Sequence, residues 1–190
     1  VTNTRPTFVT SVNLSLAQAP GPGFNSVASG GFVTTITQMA PTDSVVRLVT
    51  LTNNGSLNMD SMTVRVVDGT ATPLSTNGTT GLQVTIQQCT VAYTQATAGV
   101  AYACTGGTES TVRASSSLLS LATAQAMTLN SASLLSAGSS YLKITITLPD
   151  STENTLNGTP ALGAASIQGR SASLTWTFNA GQRTGITTNS

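Results

Sequence analysis

The sequence predicts an all-β fold, a jelly-roll-like antiparallel β-sandwich. Apolar and polar residues alternate with a period of two in segments rich in Val, Ile and Thr, residue types that suit a pleated sheet. Asn-Gly pairs lie between several of these segments and prolines stand at their ends, as in short strands joined by tight turns. The predicted strands are 32–38, 44–53, 62–68, 82–88, 141–148 and 172–178.

Residues 1–24 are predicted to be a separate unit that precedes the sandwich domain, 25–190. Residues 7–18 alternate as one more strand, and the stretch APGPGF then forms a stiff hinge. The apolar face of this strand consists of Phe8, Val12, Leu14 and Leu16. An isolated strand cannot bury its apolar face by itself, so we expect it to be donated into the sheet of a neighbouring subunit. The alternative is that it folds back as an ordinary first strand of its own sandwich.

Two later segments are expected to depart from the strand pattern. Residues 115–127 are rich in Leu and Ala and follow a run of Ser suited to capping, which predicts one short helix. Residues 130–141 are expected to form a loop.

The last two strands have one apolar face each, which is predicted to be buried. In 141–148 that face is Leu142, Ile144, Ile146 and Leu148, and in 172–178 it is Ala172, Leu174, Trp176 and Phe178. Trp176 is therefore expected to fill the space between two sheets. A sugar-stacking platform is the functional alternative for this residue. Lys143, on the opposite face of its strand, is expected to be exposed rather than joined to an Asn in an isopeptide bond.

The two cysteines, Cys89 and Cys104, are predicted to form a structural disulfide across a hairpin with its turn at about 96–97. The register implied by this pairing places Val91 opposite Tyr102 and Tyr93 opposite Val100. Two thiolates without any histidine make a poor zinc site, and a redox pair usually has Cys-x-x-Cys spacing. A structural disulfide implies an oxidising compartment.

The composition excludes several classes of partner. Charged residues make up 7% of the chain and the net charge is +1, so no basic surface is available for nucleic acid or for an anionic membrane. No run of about 18 apolar residues is present to span a membrane. The chain begins at Val1, and we expect an extracellular, mature form whose export signal has been removed.

The sequence offers no candidate catalytic, cofactor or metal residues, and we expect a protein that is not an enzyme. Histidine is absent, which excludes the Ser-His-Asp triad, the HExxH zinc site and every histidine ligand. The carboxylates are Asp43, Asp60, Asp68, Glu109, Asp150 and Glu153. Asp150 and Glu153 share a predicted turn, where we expect solvated side chains rather than a glycosidase pair or a calcium site. Candidate N-glycosylation acceptors are Asn13, Asn54, Asn77 and Asn157.

The closing stretch IQGRSASLTWTFNAGQRTG resembles the C-terminal strand of the TasA/camelysin family of exported biofilm-matrix proteins. The matching positions are Gln168, Gly169, Leu174, Trp176, Phe178 and Gln182. Three other blocks resemble the family and keep its order: SVASGGFVTTI, APTDSVVRLVTLTNNGSLNMDSMTVRV and LLSAGSSYLKITITLP. Thr42 stands where the family has Gly, and residues 70–129 match nothing in it.

The resemblance implies a jelly-roll sandwich, secretion and assembly into extracellular fibres. Archaeal relatives form bundling pili from the same fold, with an N-terminal strand donated between subunits. Camelysin-type members carry a metalloprotease label, but without histidine this chain has no residues for that activity. We therefore predict a structural subunit of an extracellular filament, a pilus or biofilm-matrix fibre, that polymerises head-to-tail with copies of itself by donor-strand complementation. Lateral bundling is left open.

Two other functions remain as alternatives. The first is a monomeric secreted adhesin or carbohydrate-binding module on the same sandwich. The second is a capsid-like jelly roll. A binding module has no use for a detached strand ahead of a Pro/Gly hinge, whereas a polymer does.

Overall fold

A computed structural model of the chain has two β-sheets that face each other across one core, which confirms the predicted all-β sandwich. The structure describes residues 8–17, 36–37, 39–53, 58–97, 99–135, 137–150, 155–156, 159–160 and 163–182. In chain order the strands are β1 (Phe8–Ala17), β2 (Ile36–Thr37), β3 (Ser44–Thr52), β4 (Met59–Asp68), β5 (Gln83–Cys89), β6 (Glu109–Ser117), β7 (Gln125–Met127), β8 (Ser139–Thr147), β9 (Thr155–Leu156), β10 (Thr159–Pro160) and β11 (Ser171–Gln182).

The first sheet has the strand order β2-β1-β11-β4-β7 and the second has the order β3-β8-β5-β6. All neighbouring strands in both sheets are antiparallel except β1 and β2, which pair in parallel. β9 and β10 form a separate two-stranded ribbon. The first sheet thus brings the N-terminal strand β1 beside β11, the last strand of the described chain.

The core consists of the inward faces of both sheets, as the period-two pattern predicts. The predicted row of apolar residues along β8 is fully buried, and so is the row along β11. Trp176 has an exposed fraction of 0%, which confirms its predicted place in the core. Burying a Val, Leu, Ile or Phe side chain contributes about 1.5–3 kcal/mol, so these two rows are a main source of the fold's stability.

Five of the six predicted sandwich strands are present within a few residues, as β3, β4, β5, β8 and β11. The sixth, 32–38, is described only at Ile36–Thr37. β6 and β7 were missed by the sequence pattern. In β6 only Val112 is fully buried among nine residues rich in Ser, so the alternation that identifies the other strands is lacking.

The predicted helix over 115–127 is much shorter in the structure. Only the single turn α2 (Leu118–Leu121) is helical, and the Ser117 side chain caps it by accepting the N–H of Ser120. Residues 115–117 end β6 and residues 125–127 form β7. The helix is one turn long because Leu118 and Leu121 fill the core and the flanking residues pair with strands. A second single turn, α1 (Pro73–Thr76), follows β4.

The predicted loop over 130–141 is only partly a loop. It begins with a 3-10 turn, Ser131–Leu134, which the Asn130 side chain caps by accepting the N–H of Ser133. Residues from Ser139 onward already belong to β8. None of the helices in the described part of the chain has the length and apolar character needed to cross a bilayer.

The hairpin that follows β5 has a different register from the predicted one. Cys89 opposes Glu109, and Thr94 opposes Ala103 further out. The chain turns sharply at 105–107, where Gly106 adopts a positive φ of 77°, so the two strands do not continue straight from the two cysteines. The predicted pairs, Val91 with Tyr102 and Tyr93 with Val100, are therefore wrong.

Candidate assembly interface

The edge of β11 that faces away from β4 is the place where β1 pairs, and we call it the acceptor edge. β1 runs antiparallel along it through ten register pairs, from Phe8 opposite Ala180 to Ala17 opposite Ser171. On its other side, the pairs of β1 within the described residues are two parallel ones with β2, Leu16 with Ile36 and Ala17 with Thr37. The acceptor edge is therefore the main backbone contact that holds β1 in the sheet.

The register pairs each residue of the apolar face predicted for this strand with one residue of β11. Phe8, Val12, Leu14 and Leu16 stand opposite Ala180, Trp176, Leu174 and Ala172. These four residues of β11 are all buried. The four predicted positions are therefore in register with the buried row of β11. A slip of one residue would move all four to the other face.

At both ends of the pairing between β1 and β11, a large residue of β1 stands opposite a small residue of β11. Phe8 stands opposite Ala180 and Leu16 opposite Ala172. A slip of two residues would keep the faces but bring Phe8 opposite Phe178 or Leu16 opposite Leu174. Cores pack best when large and small residues alternate across facing positions, so this alternation favours one register.

In this structure β1 pairs with β11 of its own chain. This is the ordinary first-strand arrangement that the sequence left as the alternative to donation. A strand from a neighbouring subunit would meet the same edge and the same ten partners. The hinge predicted between the strand and the sandwich lies outside the described residues.

One end of the acceptor edge is supported by Asp68, the last residue of β4. Its Oδ1 accepts the backbone N–H of Ser173 at 2.9 Å, and the N–H of Gly69 donates to the Ser173 carbonyl at 2.9 Å. The hydroxyl of Ser75 donates to Oδ2 at 2.6 Å, and the N–H and hydroxyl of Thr70 donate to Oδ1. Asp68 thereby ties the end of β4 and the α1 turn to β11.

The hydrogen bonds to Asp68 outweigh its burial. Burial raises the pKa of this carboxyl group. The hydrogen-bond donors on Ser75, Ser173 and Thr70 lower the pKa by a larger amount, so it lies below the usual value of 3.8. The charged form is therefore the one that the fold stabilises. This role of Asp68 was not predicted from the sequence, although an Asp followed by Gly at the end of a strand is a known turn signal.

The outer face of the second sheet carries the disulfide and an ion pair. Cys89 and Cys104 are joined as predicted, with their Cα atoms 5.7 Å apart. Lys143 Nζ lies 2.6 Å from Glu109 Oε1 and 5.1 Å from the ring centre of Tyr93. Its side chain is only 15% exposed, so the expectation of an exposed lysine is wrong. The reason is that the hairpin after β5 folds back over this end of the sheet.

The same group of side chains shifts two pKa values. Burial raises the pKa of Glu109, but hydrogen bonds with Lys143 and Gln87 and the nearby Tyr93 lower it below its usual value. Burial and the Glu109 carboxylate raise the pKa of the Tyr93 phenol. The Tyr93 hydroxyl lies near this carboxylate without a hydrogen bond of ordinary geometry. The arrangement neutralises the lysine and holds the hairpin against the sheet.

Three of the other carboxylates lie within the described residues and are exposed. Asp43 Oδ2 accepts the N–H of Ala40 at 2.8 Å in the turn before β3, while Asp60 and Asp150 are surface residues. Glu153 lies outside the described residues. No three Cys, Asp or Glu side chains come together as a ligand set in the described part of the chain.

The turn before β3 contains a strained residue. Thr42 has a φ of 75°, a conformation that is rare for a β-branched residue and ordinary for Gly. This is the position at which the resembling family has Gly. The turn is held by the N–H of Thr42, which donates to the Leu148 carbonyl at 2.8 Å.

Two of the four candidate glycosylation sites lie within the described residues. Asn13 is in β1, in register with Thr175. Asn77 closes the α1 turn, where its Oδ1 accepts the N–H groups of Thr79 and Thr80. Asn54 and Asn157 lie outside the described residues. The sugar-stacking alternative for Trp176 is wrong, because a fully buried ring offers no face to a ligand.

Comparisons with known proteins give little further information. No protein-family model matches the chain, and no curated protein is similar to it. Among solved structures, an antigen and type I fimbria protein of Burkholderia pseudomallei is similar, with 14% sequence identity and a TM-score of 0.27 over 93% of this chain and 99% of that one. At this TM-score the likeness carries no argument about fold or function.

Proposed function

We propose that this protein is a structural subunit of an extracellular filament, and that subunits join by donating β1 to the acceptor edge of a neighbour. The observation that carries the proposal is the register of β1 on β11. Ten regular pairs, with the apolar face of β1 matched to a buried row, make a strand site of high specificity. Main-chain pairing gives such a site its affinity, and alternate side chains give it its selectivity.

A strand donated by a neighbour would use the same contacts that β1 makes within its own chain. A neighbour's β1 makes the same ten pairs, as in domain swapping, where an identical element is exchanged between copies. β1 and β2 are connected by residues 18–35, which extended can span at most about 60 Å. That reach is enough to enter an adjacent small domain. Each subunit receives a strand from one neighbour and gives its own to another, so the chain of contacts continues as a filament.

Two further observations support an exported fibre subunit. The disulfide Cys89–Cys104 is typical of oxidising compartments. Thr42 holds the left-handed conformation at the position where the TasA/camelysin family has Gly, which is what a shared turn requires. Both observations support the proposal of a secreted matrix or pilus subunit.

Strand exchange can be tested by mixing two variants that each carry one added cysteine beside the native disulfide. Ser11 stands opposite Thr177 across the acceptor edge, so Ser11→Cys in one preparation and Thr177→Cys in the other can cross-link only between chains. After mixing, concentration and mild oxidation, we expect mixed disulfides mapped to 11–177 and fibres in negative-stain images. The double variant in one chain is the positive control for the pair.

The closed-chain alternative has a distinct outcome. If the double variant cross-links fully as a monomer while the mixed single variants never do, the strand stays in its own subunit and the proposal fails. Deleting residues 1–18 gives a second test, in which we expect soluble monomers that bind a synthetic 7–18 peptide and form no fibres. Normal fibres from the truncated chain would equally exclude donation.

A further inference from the structure

β11 extends beyond the end of β4, and the extension belongs to the acceptor edge. The last register pair between the two strands joins Leu174 to Asp68. Ser171, Ala172 and Ser173 have no partner on β4, yet they pair with Ala17, Leu16 and Ser15 of β1. Three of the ten pairs of the acceptor edge therefore lie beyond the last register pair with β4, where the N–H of Gly69 still donates to the Ser173 carbonyl at 2.9 Å.

Side chains at the end of β4 and just after it take the place of the missing register pairs. The Asp68 carboxylate accepts the Ser173 N–H at 2.9 Å, where a strand would have offered a carbonyl. The hydroxyl of Thr72 donates to the Ser171 carbonyl at 3.1 Å. Asp68 is itself oriented by Ser75 and Thr70 through bonds of 2.6–3.1 Å. The segment from Asp68 to Ser75 thus lies beside the start of β11 and bonds to its backbone. We call Ser171–Ser173, the part of β11 that this wall of side chains supports, the walled end of the acceptor edge.

We propose that Asp68 is a positioning residue that keeps Ser171–Ser173 extended, so that a strand seated on the acceptor edge pairs along its full length. An isolated two-stranded ribbon is marginally stable in water, and without the wall the last three pairs would be such a ribbon. The inference goes beyond the proposed function, because it holds whether the seated strand comes from the same chain or from a neighbour. Asp68 would thereby help to set the position at which the seated strand stops pairing, at Ala17 opposite Ser171.

The inference is tested by comparing two engineered disulfides across the acceptor edge. Ser15→Cys with Ser173→Cys reports the walled end, and Ser11→Cys with Thr177→Cys reports the part that β4 supports, since Thr177 is paired with Arg65. The two pairs are four residues apart along each strand and so are of the same geometric type. Cross-linking rates of each pair are measured with and without Asp68→Ala.

We expect Asp68→Ala to slow the 15–173 cross-link about tenfold, the effect of losing a hydrogen bond to a charged group on a local equilibrium. The 11–177 cross-link should change less than about twofold. Asp60→Ala is the matched control, because Asp60 is an exposed residue of the same strand, and it should change neither rate. Thr72→Val removes only a hydroxyl and should slow the 15–173 cross-link to a smaller degree.

Equal slowing of both cross-links would mean that Asp68 supports the whole domain, and it would overturn the inference, as would no change in either. If Asp68→Ala does not fold, Asp68→Asn and Thr72→Val carry the same comparison. The size of the cross-linked product keeps this test separate from strand donation. Monomeric products report a closed chain and multimeric ones report exchange, while the ratio of the two rates reports only the role of Asp68.

Discussion

The two sheets of this sandwich protect their edges in different ways. In the second sheet, the edge strand β3 carries the fully buried Arg47, and the edge strand β6 has two register shifts against β5. The carbonyl of Val112 on β6 also accepts the Thr128 N–H at 3.2 Å. Inward-pointing charges and bulges both hinder pairing with another chain. Burial lowers the pKa of Arg47 to about 10, a sign of how far this charge is withdrawn from water.

The acceptor edge of the first sheet has no such built-in protection. It pairs with β1 through ten residues without a register shift. It is closed by a strand that every copy of the chain possesses, and within the described residues that strand has two pairs on its other side. Under the proposed strand donation, this difference would direct an added strand to the acceptor edge and away from the second sheet.

The largest effect is expected from the buried row behind the acceptor edge. Trp176→Ala should lower the free energy of unfolding by about 3–5 kcal/mol, as truncating a core aromatic does. Thr177→Ala, on the other face of the same strand, should cost no more than about 1 kcal/mol. Urea unfolding followed by circular dichroism measures both. Similar losses for the two variants would show that the faces of β11 are wrongly assigned.

Removing the disulfide should weaken the second sheet and leave the acceptor edge intact. The Cys89→Ala/Cys104→Ala variant is expected to lose about 3 kcal/mol, the value for a loop closed over 15 residues. The 11–177 cross-link should form at an unchanged rate, because the hairpin lies on the other sheet. A marked slowing of this cross-link would mean that the two edges are not independent.

Acid should weaken the walled end of the acceptor edge. The pKa of Asp68 is lower in the folded chain than in the unfolded chain. Its contribution to the free energy of unfolding is therefore complete above a pH of about 3.8, the ordinary pKa of the unfolded state, and is lost as the pH falls through the pKa of the folded state. Asp68→Asn should cost about 1–2 kcal/mol at pH 7. The difference between wild type and Asp68→Asn, measured by urea unfolding from pH 7 to pH 3, should shrink below pH 4. Glu109 also titrates at low pH but is present in both proteins, so it cancels. A constant difference would contradict the role given to the charge.

A substitution in the turn before β3 is expected to stabilise the protein. Thr42→Gly should raise the free energy of unfolding by about 0.5–1 kcal/mol, because relief of the left-handed strain exceeds the added entropy of the unfolded chain. Thr52→Gly, at the other end of β3, is the control and should destabilise. A loss of stability in Thr42→Gly would show that the hydroxyl or methyl group of Thr42 makes a contact worth more than the strain.

The smallest effect is expected at the ion pair under the hairpin. Lys143→Met should cost about 1 kcal/mol or less, because a partly exposed ion pair contributes little and the methionine keeps the packing. The pKa of Glu109 should rise once its partner is gone, which NMR titration of the carboxyl carbon measures. A cost above about 2 kcal/mol would place this pair among the main supports of the second sheet.

Strands that have one apolar face could be predicted from the amino-acid sequence alone. The rows along β8 and β11, the burial of Trp176 and the disulfide partners all follow from local alternation and from the presence of only two cysteines. Period-two patterns are read from neighbouring residues, so no tertiary information is needed. The apolar face assigned to the N-terminal strand matches the buried row of β11 for the same reason.

Features that depend on partners distant in the chain could not be predicted from the sequence and follow from the way the sheets pack. The hairpin register could not be read from the cysteine pair because Gly106 turns the chain between the strands. Lys143 is covered by a segment some fifty residues away from it, and Asp68 bonds to Ser173 across 105 residues. Local sequence propensity cannot predict such contacts, because each depends on how the sheets stack and where a neighbouring strand ends.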